Sequence, residues 1–140
     1  MKNPGIPGIT LIIAICCGFL TPFDLSAVNI ALPAIAGEFS LDAILLSWVS
    51  SAYLLASAAF LVPFGRIGDI FGRKKILTGG VVLFTVASAG MIISGSSAML
   101  IGFRLVQGVG SSMIFGTAVA ILTSVINPAR RGRALGIYTT

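Results

Sequence analysis

The sequence predicts an all-α fold, a polytopic bundle of transmembrane helices, and three observations carry that prediction. Hydrophobic residues make up 56% of the 140-residue chain and charged residues only 9%, at a mean hydropathy of +1.07. A water-soluble domain carries about 25% charged residues, so this chain cannot cover itself for water, and the bilayer is the solvent it can face. The apolar residues gather into four long stretches, and most of the basic residues fall in short runs between them. That placement makes the formal charge of +5 a topology signal rather than a nucleic-acid footprint. Membrane lipid is the expected partner, and nucleic acid is not.

Hydropathy predicts spans at about residues 9–30, 44–64, 76–94 and 99–125, each long enough for a tilted helix to cross the hydrocarbon core. The first is read as a retained helix rather than a secretory signal, because only Lys2 precedes it and apolar character resumes beyond Asp24 without a small-residue cleavage site. Pro33 and Gly37, followed by Glu38, Ser40 and Asp42, are expected to close the first span and open the second. Residues 65–75 read as a charged loop, and Ser94-Gly95-Ser96-Ser97 as a tight polar turn between antiparallel helices. Asn127-Pro128 is expected to end the fourth span. Residues 134–140 begin another apolar stretch, so four complete helices and the start of a fifth are expected, in a chain continuing past Thr140.

If the spans alternate, Lys2, Arg66, Arg73, Lys74, Lys75, Arg130, Arg131 and Arg133 share one side, and the other holds only Glu38 and Asp42. Positive charge favours the cytoplasmic side, which predicts a plasma- or inner-membrane protein with a cytoplasmic N-terminus. Nothing in the sequence points to an enzyme: it has no His, no metal-ligand spacing and no nucleophile–base pairing. Cys16 and Cys17, adjacent on a helix, point to different faces and read as small apolar fillers. Neither a metal nor a cofactor is expected.

Two ionisable residues interrupt the spans, Asp24 in the first and Arg104 in the fourth. A charge near a helix centre costs about 2.5–3.5 kcal/mol on insertion scales, so it should face a partner or a wet cavity. By the rise per residue both fall in the outer half of the bilayer. They either line one polar pathway, with Asp24 taking up and releasing a proton, or snorkel to the outer interface. Asn29 can bond a neighbouring helix or the pathway, and Tyr53 reads either as an apolar-span aromatic or as a substrate contact. Trp48 suits the interfacial aromatic belt. Pro22 and Pro33 can each kink the first helix. Gly108, Ser112, Gly116, Ala120 and Ser124 recur every four residues behind Arg104, a small-residue row for close helix packing. Ala52, Ala56, Ala59 and Pro63 form a similar strip in the second span.

Residues 65–75 read GRIGDIFGRKK. Gly65, Gly68 and Gly72 suit a tight turn and close helix approach, Asp69 can accept hydrogen bonds or cap a helix, and Arg73, Lys74 and Lys75 suit an anionic interface. The segment resembles the cytoplasmic-loop signature Gly-x-x-x-Asp-x-x-Gly-Arg-[Arg/Lys]-[Arg/Lys] of the major facilitator superfamily. LIGFRLVQGVGSS, residues 100–112, resembles that family's fourth-helix motif through Arg104, Gln107 and Gly108. FDLSAVNIALP, residues 23–33, is similar to the first-helix motif of the fourteen-helix drug:proton antiporter branch, with Ser26 where Thr is usual.

The resemblance implies part of the N-terminal half of a proton-driven exporter of small amphipathic or cationic compounds, powered by the proton gradient and working by alternating access. It implies Asp24 as the proton-linked acid and Arg104 as the cavity arginine that tunes it; Asn29, Tyr53 and Gln107 stand beside them as substrate-cavity candidates. Gly65, Asp69, Gly72, Arg73 and Lys74 would form the cytoplasmic gate, and Gly108, Ser112 and Gly116 the helix packing. These residues alone are not expected to transport, since the family's cavity lies between two halves and the missing part of the same transporter is a required partner. Two departures stand out: Ile70 occupies a position where a basic residue is common, and no Asp or Glu follows Asp69 to complete a charge relay. Three other readings are a nutrient symporter or uniporter of the same superfamily, a small four-helix dimeric exporter, and a non-transporting scaffold.

Overall fold

The computed structural model describes the backbone of residues 6–125 and the side chains of Cys16 and residues 19–121; residues 1–5 and 126–140 lie outside it. The expected fifth-span start at 134–140, Asn127-Pro128, and Lys2, Arg130, Arg131 and Arg133 of the orientation argument therefore lie outside the described residues, as does the side chain of Ser124. Four helices make up the fold: α1 Ile6–Phe39, α2 Ala43–Phe71, α3 Arg73–Ile92 and α4 Ser97–Val125. No strand occurs among the described residues. The shortest, α3, has 20 residues, which at ~1.5 Å per residue matches the ~30 Å hydrocarbon core. All four are long and apolar enough to cross a membrane.

The distribution of polarity is inverted relative to a soluble protein. Ile30, Ile44, Val62, Val82, Val86 and Ile92 face outward, more than half exposed, while Arg104, Gln107, Ser111, Ser112 and Thr117 are 0% exposed. Lipid rewards the first arrangement, and the second is tolerable only where buried polar groups meet one another. Those five residues all belong to α4: Arg104, Gln107 and Ser111 follow one another three and four apart along one stripe, and Ser112 and Thr117 lie on other faces of the same helix. α4 is accordingly the central element, packed against α1, α2 and α3, whereas no described residue of α1 is fully buried.

Close approach to α4 rests on glycines, Gly108 and Gly116 among them, while Ser112 of the same row is buried and bonds the Val109 carbonyl of its own helix. A Cβ at Gly108 would collide with the Tyr53 carbonyl oxygen and come within 2.9 Å of Ala56 Cβ, both on α2. On the opposite side of α4, a Cβ at Gly110 would lie 2.8 Å from the Phe84 backbone nitrogen of α3. The Ala strip of α2 contributes only in part: Ala52 and Ala56 are buried against the bundle, but Ala59 and Pro63 are exposed, because the contact face continues instead through Leu61 and Gly65 toward Gly116.

Two boundaries differ from the sequence reading. α1 runs through Pro33 and Gly37 to Phe39. It stops where Ser40 adopts φ +48° and the Leu41 amide donates to the Ala36 carbonyl at 3.1 Å, a left-handed C-cap. Asp42 then caps α2, its carboxylate accepting from the Leu45 amide at 2.8 Å. The expected loop at 65–75 is mostly helix: α2 continues to Phe71 and α3 starts at Arg73, with Gly72 alone between them at φ +101°. A charged residue ends an apolar hydropathy window, but it need not end the helix that carries it. The polar turn before α4 falls where expected, with Ser96 accepting from the Met99 amide.

Enlarging Gly108 to Val should force α2 and α4 apart and cost about 1–3 kcal/mol by overpacking. Gly102→Ala, with nothing within 4 Å of the new Cβ, should be neutral. Thermal denaturation of the purified full-length proteins checks the difference.

Candidate functional site

Three motif residues from distant parts of the chain meet at the heart of the bundle. The Arg104 Nη1 lies 2.8 Å from Asp24 Oδ2, and Gln107 Nε2 donates to Asp24 Oδ1 at 2.9 Å. Arg104 and Gln107 stand one helical turn apart on α4, so both side chains reach the same carboxylate on α1, and Arg104 Nη1 also donates to Gln107 Oε1. Both oxygens of Asp24 are thus held from one helix. The snorkelling alternative fails here, because the two charges turn inward to each other.

Neighbouring helices complete the shell. From α2, the Val49 carbonyl accepts from Arg104 Nε at 3.0 Å, and the Tyr53 ring lies under the guanidinium, 4.5 Å from its Cζ to the ring centroid. Tyr53 Oη donates to Ser111 Oγ at 2.9 Å, and Ser111 Oγ is 3.2 Å from Thr21 Oγ1 of α1. From α3, Ser88 Oγ accepts from Gln107 Nε2 at 2.9 Å while donating to its own Phe84 carbonyl. Arg104 Nη2 is buried with no hydrogen-bond partner.

Accessibility divides the ion pair unequally: the Asp24 side chain is 15% exposed and Arg104 0%. The acid is the member that can meet solvent or a ligand, and the base is sealed behind it. Protonating Asp24 would remove the formal negative charge paired with Arg104, so its charge state bears on the packing of α1 against α4.

The sequence candidates separate accordingly. Asp24, Arg104, Gln107 and Tyr53 come together, but Tyr53 and Gln107 are enclosed by their own helices, at 1% and 0% exposure, rather than open to a cavity. Asn29 is exposed and makes no hydrogen bond to the cluster. Thr21, Ser88 and Ser111 were not anticipated. Ser111 continues the Arg104–Gln107 stripe by one more turn and Thr21 precedes Asp24 by one turn, spacings that could have found them; Ser88 carries no comparable signal. No group of three or more metal-ligating side chains occurs among the described residues.

At the other end of α4, Arg73 Nε pairs with Asp69 Oδ1 at 2.9 Å, and its Nη1 donates to the Ala120 carbonyl at 2.5 Å. Asp69 does not cap a helix; it pairs with Arg73 one turn later, across Gly72. Gly68 is buried where a Cβ would meet Thr117 Cγ2 at 2.9 Å. Lys74 and Lys75 are exposed beside it. The signature segment therefore bolts the α2–α3 corner onto α4 through a carbonyl, in a chain with no acid on α4.

An apolar shell around a charge-bearing polar interior defines a multi-pass helical membrane protein with its chemistry inside the bundle. The chain belongs to the Major Facilitator Superfamily, whose sequence profile matches residues 14–140; members of this family are transporters rather than enzymes. Among similar proteins, an uncharacterized MFS-type transporter of Mycobacterium tuberculosis is 39% identical over 87% of this chain and 21% of its own length. The cephamycin export protein of Amycolatopsis lactamdurans is 37% identical over 92% of this chain and 27% of its own. The riboflavin transporter of Clostridioides difficile is 34% identical over 91% of this chain and 28% of its own. The chain thus spans between about a fifth and three-tenths of the length of these relatives.

The two contacts of Arg73 differ in expected worth. An exposed ion pair contributes about 0–1 kcal/mol, and a charged hydrogen bond to a carbonyl about 1.5–3 kcal/mol. Arg73→Met should therefore lower the stability of the purified transporter more than Asp69→Asn does. Equal losses in chemical denaturation would place the main contribution on the carboxylate instead.

Proposed function

We propose that this chain is part of a proton-coupled exporter of small amphipathic or cationic compounds, with Asp24 as the proton-carrying acid and Arg104 as its counter-charge. The observation that carries the reading is the pairing of a partly accessible carboxylate with a sealed guanidinium inside the bundle. A permanent scaffold has no need of the two charges, which cost energy to insert. A carboxylate that exchanges protons gives a reason for both. When Asp24 takes up a proton, Arg104 and Gln107 lose their anionic acceptor, and the equilibrium between two arrangements of α1 and α4 shifts by that difference. The role of the cephamycin export protein supports outward transport. That of the riboflavin transporter supports a second reading, movement of a nutrient by the same machinery.

The Asp69–Arg73–Ala120 linkage serves in this reading as the cytoplasmic latch, fastening the α2–α3 corner in one state and releasing it in the other. The N-terminus lies in the cytoplasm, with Arg66, Arg73, Lys74 and Lys75 on that face. Substrate binding and translocation belong to the assembled transporter, since the helices beyond this chain supply the other wall of the cavity.

In the full-length transporter, Asp24→Asn should abolish proton-driven efflux at unchanged expression, and Asp24→Glu should retain part of it. Efflux by Asp24→Asn at the parent rate, measured under an imposed proton gradient, would remove Asp24 from the mechanism. Orientation has its own test. With the native cysteines replaced, Ile70→Cys should resist a membrane-impermeant maleimide applied to intact cells and react after permeabilisation; the reverse order would invert the topology.

A further inference from the structure

Arg104 is compensated by two groups that respond differently to protons. The Asp24 carboxylate, 2.8 Å away, loses its charge on protonation, whereas the Tyr53 ring face, 4.5 Å from the guanidinium carbon, does not. The ring is 1% exposed and fixed at its far end by the Oη–Ser111 bond, with Ser111 in turn against Thr21. One turn earlier on α2, the Val49 carbonyl holds Nε. α2 thus supplies a carbonyl and a ring face aimed at the guanidinium, neither of which titrates near neutral pH.

The other group facing the ion pair is Gln107 from α4; one contact further out are Ser88 from α3, through Gln107, and Ser111 of α4 with Thr21 of α1, through Tyr53. No other charged side chain among the described residues contacts the cluster.

Resting on the proton-coupled reading, we propose that Tyr53 is a positioning residue that holds Arg104 in place while Asp24 is neutral, and so sets the pH range over which the transporter cycles. The argument is electrostatic. With Asp24 ionised, the pair is close to neutral, and the negative ring face attracts the guanidinium while repelling the carboxylate. With Asp24 protonated, the guanidinium stands as a net cation in a low-dielectric interior, where a ring face is worth most. The ring therefore favours the protonated state over the ionised one. Weakening it makes proton uptake harder and moves the transition to lower pH. The guanidinium is a cation in both states, so the displacement is set only by how much more strongly the ring holds it once the carboxylate is neutral.

The test replaces Tyr53 in the full-length transporter by Phe, and then by phenylalanines carrying one, two and three ring fluorines. These keep the shape and progressively remove the negative face. The readout is the infrared carboxyl band of the purified protein that disappears in Asp24→Asn, followed as a function of pH, which requires no known substrate. Taken from the Phe variant, which lacks the Oη–Ser111 bond, each added fluorine should move the midpoint toward acid, with Tyr53→Leu at the acid extreme. A midpoint unchanged across the fluorine series would overturn the role of Tyr53 while leaving the proton-coupled reading intact. A band that fails to titrate in the parent would overturn both.

Discussion

A guanidinium with no exposed surface in the middle of a membrane bundle has to be compensated from several directions at once, and that requirement organises this fold. Arg104 takes a carboxylate from α1, a carbonyl and a ring face from α2, and Gln107 from its own helix, which itself leans on Ser88 of α3. Each helix contributes one or two groups, and none of them could satisfy the charge alone. Lipid offers helices little hydrophobic reason to associate, so a buried ion that needs partners on α1, α2 and α3 is a strong reason for α4 to sit among them.

The polar stripe and the small-residue row of α4 solve different parts of the same problem. Gly108 lets the α2 backbone come close enough for the Val49 carbonyl and Tyr53 ring to reach Arg104, and Gly110 lets α3 come close enough for Ser88 to reach Gln107. Larger side chains at these positions would move the neighbours outward and lengthen the hydrogen bonds that compensate the charge. Packing and electrostatics are therefore coupled through two residues with no side chains.

Much of this was legible in the sequence, and the physics says why. Mid-span charges are costly, so Asp24 and Arg104 announced themselves, and the four-residue spacing behind Arg104 announced the packing face. The hydroxyls were not legible, because a Ser or Thr in a span can satisfy itself on the carbonyl three or four residues back. Thr78, Thr85 and Thr117 do so, and nothing in the sequence distinguishes them from Ser88, which bonds Phe84 and also reaches Gln107. Asn29 looked equivalent to Gln107 as a polar residue in a span, yet its position along α1 leaves it on the outside. Helix limits were misread at residues 65–75 because a charge ends an apolar window without ending a helix; only Gly72, with its positive φ, breaks the backbone.

The same corner shows how a signature can keep its geometry while losing a partner. An arginine next to a helix break needs an acceptor on the helix it is to hold, and α4 offers no acid among its described residues. A helix carbonyl keeps a second lone pair beyond its intrahelical bond, and Ala120 supplies one to Arg73. A carbonyl has no proton to exchange, so the Arg73–Ala120 half of the corner keeps its character whatever the charge state of Asp69. The α2–α3 corner and the buried ion pair are joined through the length of α4 between Arg104 and Ala120, so a displacement of that helix at one end is felt at the other.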